Sequence, residues 1–289
     1  KGEKLVETIT NRVQEMQTKG GLDLPDNYSY SNALKSAFLI LRTTKDRDGK
    51  LVLDSCTQES IANCLLNMVV QGLNPEKKQC YFIPYAQALT MQRSYFGDEA
   101  LACRVNPKIK DIASNVVFEG DEFKFKTVHG RKIIADHIST FEAQEKGQIK
   151  AAYCEVITID GEVIATEIMT MREILQSWKQ SQMKPVDDKG NIKPDSTHGK
   201  FTADMAKRTV IRKTLKTIIN SSNDDYLNRS LRETEDVVAE ASAQEEIATN
   251  ANQGPVIDVK FEEQVPVATP VVEKKDAKQE TITIEEEPF

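Results

Sequence analysis

Two tight-turn signals, Glu119-Gly120-Asp121 and Asp160-Gly161, constrain the fold of this chain more than any other feature of its sequence. Each lies between two β-prone runs, and glycine beside aspartate accommodates the positive φ angles of hairpin turns. The four runs are residues 112–118, 122–127, 151–159 and 162–170. The sequence therefore predicts four strands in a meandering antiparallel sheet.

Helical segments and one further hairpin surround these strands in the sequence. Apolar periodicity and capping residues predict helices at about 3–18, 32–41, 55–72, 94–105, 170–183 and 200–220. Ser55 and Thr170 are the predicted capping residues of two of them, and Gly72 is predicted to end the first of these two. The runs 80–85 and 88–92 predict a small hairpin, and the polar stretch 184–199 a loop. The chain is therefore expected to have an α+β fold, with a small antiparallel sheet packed against helices.

The composition is that of a globular protein, with 39% hydrophobic and 29% charged residues. No apolar run approaches the roughly 18 residues of a membrane span, and the first residues lack a secretory pattern, so a cytoplasmic protein is expected. Cysteines without Cys-x-x-Cys spacing are expected to be reduced core residues, and the histidines to lie in loops or on the surface. These residues are Cys56, Cys64, Cys80, Cys103 and Cys154, and His129, His137 and His198.

The net charge of −7 is unevenly distributed along the chain. Residues 233–289 hold 15 acidic and 4 basic side chains, whereas residues 1–232 hold 34 basic and 30 acidic ones. Within 200–232 the balance is 8 basic to 3 acidic, an excess that suits a phosphate backbone. We therefore divide the chain into a helical amino-terminal arm at 1–30, a core at 31–232 and an acidic, largely disordered tail at 233–289.

The last predicted helix has an unusual distribution of charge. On a wheel of about 100° per residue measured from Phe201, its apolar arc spans about 140°. The apolar residues are Met205, Ile211, Leu215, Ile218 and Ile219. Arg208 and Arg212 fall near 340° and 20°, inside that arc, whereas Lys213 and Lys216 flank it at about 120° and 60°. Because an unpaired buried charge is costly, two alternatives are open: acidic side chains neutralise the arginines, or the stripe opens into a groove that admits phosphates.

Four blocks of sequence resemble those of the RecT family of phage single-strand annealing proteins, the RecT/Red-beta-like recombinases. In chain order they are Val70-Gln71-Gly72-Leu73-Asn74-Pro75 with Gln79-Cys80-Tyr81-Phe82-Ile83-Pro84-Tyr85, Gln92-Arg93-Ser94-Tyr95-Phe96-Gly97, Val116-Val117-Phe118-Glu119-Gly120-Asp121-Glu122-Phe123, and Met205-Ala206-Lys207-Arg208-Thr209-Val210-Ile211-Arg212. The blocks occur in the family's order and cover roughly 30–222. One departs from the family pattern, because Ser94-Tyr95-Phe96 stands where Tyr-Arg-Gly is usual.

The resemblance implies a deep positive groove, in subunits that assemble into rings or helical filaments on DNA. One strand would be held by its phosphates with its bases exposed, and a complementary strand would anneal to it without ATP. The sequence contains no Gly-x-x-x-x-Gly-Lys-Ser/Thr motif, which agrees with a recombinase that hydrolyses no nucleotide. The expected partners are single-stranded DNA, the annealed duplex intermediate, further copies of the chain through the arm at 1–30, and a phage exonuclease. No cofactor is implied, and Mg²⁺ is left open as a modulator of annealing.

Cationic side chains are the candidates for phosphate contacts, and aromatic side chains for stacking or for groove walls. The cationic candidates are Arg208 and Arg212, then Lys207 and Arg93, and then Lys132, Lys213 and Lys216. The aromatic candidates are Tyr81, Tyr95 and Phe96, of which Phe96 also suits a core position.

Two other hypotheses rest on different residues. A metal-dependent nuclease would use Asp111, Glu122 and Lys124, which imitate the carboxylates and lysine that such sites place around Mg²⁺. An interaction protein would act through its carboxyl-terminal tip, which resembles that of bacterial single-stranded-DNA-binding protein (SSB) and would bind host SSB or proteins that bind the SSB tip. The tip residues are Glu285, Glu286, Glu287, Pro288 and Phe289. The charge of the tail also predicts that it occupies the basic groove when DNA is absent.

Overall fold

The structure, a computed structural model, describes residues 2–181 and 183–235, with side chains from residue 4 onward. Its helices are α1 (Gly2–Thr18), α2 (Tyr30–Leu41), α3 (Val52–Ser55), α4 (Gln58–Val70), α5 (Tyr95–Val105), α6 (Phe141–Lys146), α7 (Met171–Lys179), α8 (Thr197–Lys200) and α9 (Thr202–Ile219). Its strands are β1 (Cys80–Tyr85), β2 (Ala88–Arg93), β3 (Ile109–Phe118), β4 (Glu122–Val128), β5 (Arg131–Ile138), β6 (Ile149–Thr158) and β7 (Val163–Thr170). Residues 225–235 are also helical. The predicted α+β class is confirmed.

The described strands form three separate antiparallel sheets rather than one meander. Strand β1 pairs with β2, β4 pairs with β5, and the third sheet has the order β3-β6-β7. The hairpins predicted at 80–92 and 151–170 are therefore confirmed. The hairpin predicted across Glu119-Gly120-Asp121 is wrong, because β3 and β4 each pair with another strand.

The turn at Glu119-Gly120-Asp121 is held by hydrogen bonds to the carboxylate of Asp121. This carboxylate accepts hydrogen bonds from the backbone N–H of Phe118 and from Oγ of Ser139, each at 2.6 Å, and its Oδ2 lies 3.1 Å from Nε2 of His137. Ser139 directly follows β5, so the carboxylate joins the end of β3 to the end of β5. The turn thus connects two sheets.

A second turn accounts for the pairing of β4 with β5. His129 and Gly130 connect these strands with φ angles of 49° and 77°, the positive values that a two-residue hairpin turn favours. Strand β5 is not predicted from the sequence, because histidine is a weaker signal for such a turn than asparagine or aspartate. Once β5 pairs with β4, the free edge of β3 is available to β6.

Two apolar clusters form the interior of the described chain. In the first, α1 packs on α2 and α4, and Ile9 and Val13 of the predicted arm are buried in that cluster. In the second, the β3-β6-β7 sheet packs against α5, α7 and α9, with Val156, Trp178 and Val210 buried between them. The second cluster places α9 beside both α5 and β7, where the candidate site lies.

Two predicted helix boundaries, the start of α7 and the end of α4, agree with the structure. The capping box of Thr170 with Glu173 is present, and Gly72 follows α4 with a φ of 70°. The predicted cap at Ser55 is wrong: Ser55 ends α3, and Thr57 caps α4 by accepting a hydrogen bond from the N–H of Ser60. Helix α7 ends at Lys179, earlier than predicted.

The expectations for cysteine and histidine hold only in part. All five cysteines are free, and they are buried except Cys103, which is exposed. His129 lies in a turn, but His198 is buried with its ring edge-on to Trp178, and the His137 side chain is largely buried as well. Within the part of the chain that the structure describes, no helix combines the length and apolarity needed to cross a lipid bilayer.

Candidate nucleic-acid interface

Helix α9 buries one face and exposes four of its cationic side chains, Arg208, Arg212, Lys213 and Lys216. Its buried residues are Ala206, Val210, Ile211, Thr214, Leu215 and Ile219. Arg208 and Arg212 are exposed, so the predicted position of these arginines on a buried stripe is wrong. The apolar arc of the wheel left out residues 206, 210 and 214, which belong to the buried face of the helix. Phe201 precedes the helix and is 58% exposed.

Arg212 is held by one nitrogen only. Its Nε donates to Oδ2 of Asp98 at 3.2 Å, and its side chain is 59% exposed whereas that of Asp98 is 6% exposed. The two terminal amino groups of the guanidinium have no hydrogen-bond partner among the described residues. The side chain is thus oriented by the protein and retains donors for a ligand.

Arg208 lies against an aromatic surface at the start of α5. Its guanidinium carbon is 5.0 Å from the centre of the Tyr95 ring, and the rings of Tyr95 and Phe96 are 4.0 Å apart. Ser94 caps α5 by accepting from the N–H of Gly97. A Cβ at Gly97 would collide with the carbonyl oxygen of Gln79, so glycine allows this end of α5 to pack closely. The local sequence therefore fixes the start of α5, from which both aromatic side chains project.

Two lysines meet at a carboxylate on β7. Nζ of Lys213 lies 3.1 Å from Oε1 of Glu167, and Nζ of Lys132 lies 3.8 Å from the same oxygen and donates to the carbonyl of Ile168. Hydrogen bonds from the backbone and side chain of Thr170, and then the charges of Lys213 and Lys132, lower the pKa of Glu173. A second cationic cluster therefore lies where α9, β5 and β7 meet.

The remaining cationic candidates lie in different surroundings. Lys207 pairs with Asp204 one turn earlier on α9 at 3.0 Å, and Lys216 is exposed on the same helix. Arg93 lies inside the protein: its side chain is 13% exposed, its Nε donates to Asp98 and its Nη1 donates to Gln71. Arg93 thus lies behind Arg212 and presents no exposed guanidinium.

Tyr81 lies apart from the cations of α9 and from the aromatic rings at the start of α5. It is on β1 opposite Gln92 and is exposed, and no described ring contact or hydrogen bond joins it to α9. Two residues that sequence reasoning missed are Asp98 and Glu167, the carboxylates that hold Arg212 and Lys213. In the sequence they are single acids in a helix and a strand, so no local signal distinguishes them.

The residues of the nuclease hypothesis do not converge. Asp111 is on β3, whereas Glu122 and Lys124 form an exposed ion pair with each other on β4, in another sheet. Burial, and then the charges of Asp98 and Asp111, raise the pKa of Glu99, so the acidic neighbour of Asp111 is on α5. No group of three potential metal ligands occurs among residues 2–181 and 183–235. The tip residues of the interaction hypothesis, at 285–289, lie outside the described residues.

These observations define an α+β protein whose helix α9 exposes cations beside aromatic rings. A family model described as RecT family matches residues 31–252, which are most of the chain. The chain therefore belongs to the RecT family, whose proteins act in DNA recombination and strand annealing. No curated protein matches the chain.

Proposed function

We propose that this protein binds single-stranded DNA through its phosphates and anneals a complementary strand to it without hydrolysing a nucleotide. The exposed face of α9 carries this proposal, because Arg212 has free guanidinium donors and Arg208 lies against Tyr95. Guanidinium groups match the geometry of phosphate oxygens, and aromatic faces accept any base. Contacts of these two kinds leave the base edges available for pairing.

The charge at Asp98 also supports this proposal. Asp98 is paired with both Arg93 and Arg212, so one negative charge is shared by two positive charges. The three side chains together keep a net positive charge, and its exposed end is the guanidinium of Arg212. Since Asp98 orients Arg212 beforehand, less side-chain entropy is lost when a phosphate binds.

Membership of the family supports assembly of several copies on DNA, as a ring or a helical filament, with the duplex as an intermediate. Lys132, Lys213 and Lys216 would extend the positive face along the strand, and Lys207 would contribute after leaving Asp204. A phage exonuclease and host SSB, or proteins that bind the SSB tip, stand as proposed partners. Neither ATP nor a resident metal has a part in the proposed reaction, and Mg²⁺ remains a proposed modulator.

The direct test adds complementary oligonucleotides one after the other to the full-length protein, without ATP and in EDTA. Annealing is expected to exceed the protein-free rate, with strands of unchanged length on a denaturing gel. Shortened strands on addition of Mg²⁺ would favour the nuclease hypothesis, and an annealing rate equal to that of naked DNA would reject the proposal.

The carboxylate of Glu167 supplies a prediction of increased affinity. It holds Lys213 and lies near Lys132, so it competes with a phosphate for the same ammonium groups. Glu167→Gln is expected to strengthen single-strand binding up to about fivefold at low salt, the range of an ion pair near the protein surface. Fluorescence anisotropy of a labelled oligonucleotide measures the change. The control is Glu119→Gln, which breaks a similar ion pair with Lys150; an equal change in both variants would contradict the prediction.

A further inference from the structure

A chain of polar contacts leads inward from the exposed Arg212. Asp98 accepts from Nε of Arg212 at 3.2 Å through one oxygen and from Nε of Arg93 at 2.9 Å through the other. Nη1 of Arg93 then donates to Oε1 of Gln71 at 3.0 Å. Gln71 is 1% exposed, so this series of contacts runs from the solvent to the interior.

The other end of Gln71 meets the helical segment 225–235. Nε2 of Gln71 donates to Oγ of Ser230 at 3.1 Å and to Oγ1 of Thr234 at 3.0 Å. These two hydroxyl groups lie one turn apart on the same face of the segment, and both residues are buried. The segment is therefore in direct contact with the amide that holds Arg93.

The hydrogen-bond roles of these hydroxyl groups fix the orientation of the amide. Ser230 donates its proton to Oδ1 of Asn67 at 3.0 Å, and Thr234 donates its proton to the carbonyl of Ser230 at 2.7 Å. Each hydroxyl has one proton, so each acts as an acceptor toward Gln71. The NH₂ group of Gln71 must then face the segment, and its oxygen must face Arg93. Arg93 has only N–H donors, so it also requires the amide oxygen. The seated segment therefore holds the NH₂ end of Gln71 in place and keeps its oxygen within reach of Arg93.

We propose that the helical segment 225–235 controls the DNA affinity of Arg212 through Gln71, Arg93 and Asp98. A seated segment anchors the NH₂ group of Gln71 and so keeps the amide oxygen at Arg93, which leaves one oxygen of Asp98 for Arg212. When the segment moves away, the NH₂ group of Gln71 loses both hydroxyl acceptors and the side chain can leave Arg93. Arg93 then lacks its second acceptor and draws on both oxygens of Asp98, and Arg212 loses its anchor. Gln71 and Arg93 are positioning residues in this scheme, which rests on the proposed phosphate contact of Arg212.

The position of the helical segment 225–235 in the sequence indicates how a partner could act on Arg212. The acidic residues of the chain are concentrated directly after it, from 233 to 289. A protein that binds this acidic stretch and displaces 225–235 would weaken the contact between Arg212 and a phosphate. DNA release would then be linked to partner binding.

The test is a double-mutant cycle in the full-length protein. Ser230→Ala with Thr234→Val removes both hydroxyl acceptors at nearly constant volume, and single-strand affinity is expected to fall about three- to tenfold, the range of one or two hydrogen bonds. The same pair of changes is expected to have no further effect on affinity when Arg212 is alanine, but to keep its full effect when Arg208 is alanine. Thr158→Val, which removes a buried hydroxyl elsewhere, serves as the control and should leave affinity unchanged.

The outcomes separate this inference from the proposed function. Equal losses in the wild-type and Arg212→Ala backgrounds would show that the effect of the hydroxyl groups does not pass through Arg212, and would overturn the inference. An Arg212→Ala protein that binds DNA as well as wild type would contradict the phosphate contact itself, and the inference with it. Thermal unfolding of each variant, measured beside affinity, identifies a loss that comes from unfolding.

Discussion

Replacing Asp98 with alanine is expected to lower the free energy of unfolding by about 3–5 kcal/mol, the cost of breaking a buried ion pair. Asp98 is buried between Arg93 and Arg212, and its loss leaves the guanidinium of Arg93 in the interior without its anion. Arg212 is exposed and can turn to water, so the penalty arises mainly at Arg93. Urea-induced unfolding followed by circular dichroism measures the change.

The neighbouring carboxylate provides the control for this prediction. Glu99 follows Asp98 on the same helix, is half-buried, and has its pKa raised by burial and then by the charges of Asp98 and Asp111. A carboxylate in such surroundings contributes little to stability, so Glu99→Ala is expected to cost less than about 1 kcal/mol. Similar losses in the two variants would show that Asp98 is not the anion on which Arg93 depends.

Replacing Arg208 and Arg212 together with alanine is expected to weaken single-strand binding about 100-fold or more at low salt. Each guanidinium is proposed to bind one phosphate, and a hydrogen bond to a charged group contributes about 1.5–3 kcal/mol. The slope of log affinity against log salt should become shallower by about 1.4, since each phosphate contact on a single strand contributes about 0.7. Annealing should fall in parallel, while the protein stays folded because both side chains are exposed.

A matched pair of arginines tests whether the effect is specific. Arg12 and Arg42 are exposed on or beside the first two helices, and Arg12→Ala with Arg42→Ala removes the same total charge. This control is expected to change affinity less than about threefold through long-range electrostatics. If both double variants weakened binding equally, net charge rather than the face of α9 would hold the DNA.

Features that depend on a few neighbouring residues could be predicted from the sequence. The hairpin of β6 and β7 follows from Asp160-Gly161, because glycine at the turn has the required positive φ of 80°. The start of α7 follows from Thr170 and Glu173, which satisfy the free N–H groups of the first turn. The order of four short motifs was enough to place the chain in its family.

Features that depend on a choice between distant partners could not be predicted in this way. The strands on either side of Gly120 have suitable composition for a hairpin, yet β3 pairs with β6 and β4 with β5. Strand pairing depends on which strand edges the whole chain brings together. The turn at His129 and Gly130 brings β5 next to β4, and β4 pairs with it. The same limit applied to α9, where the helical wheel placed Arg208 and Arg212 on the buried stripe although both are exposed.

The sequence alone determined the family, the α+β class and the helix that holds the cations, because short-range turn and capping chemistry and the order of motifs are properties of neighbouring residues. Only the tertiary structure decided which arginine is exposed. Arg93 and Arg212 are separated along the chain and look alike in it, and the packing of α5 on α9 places one carboxylate, Asp98, between them. The physical reason is that the free energy of a charge depends on its surroundings in space, which bring Arg93 inside the protein and leave Arg212 at the surface.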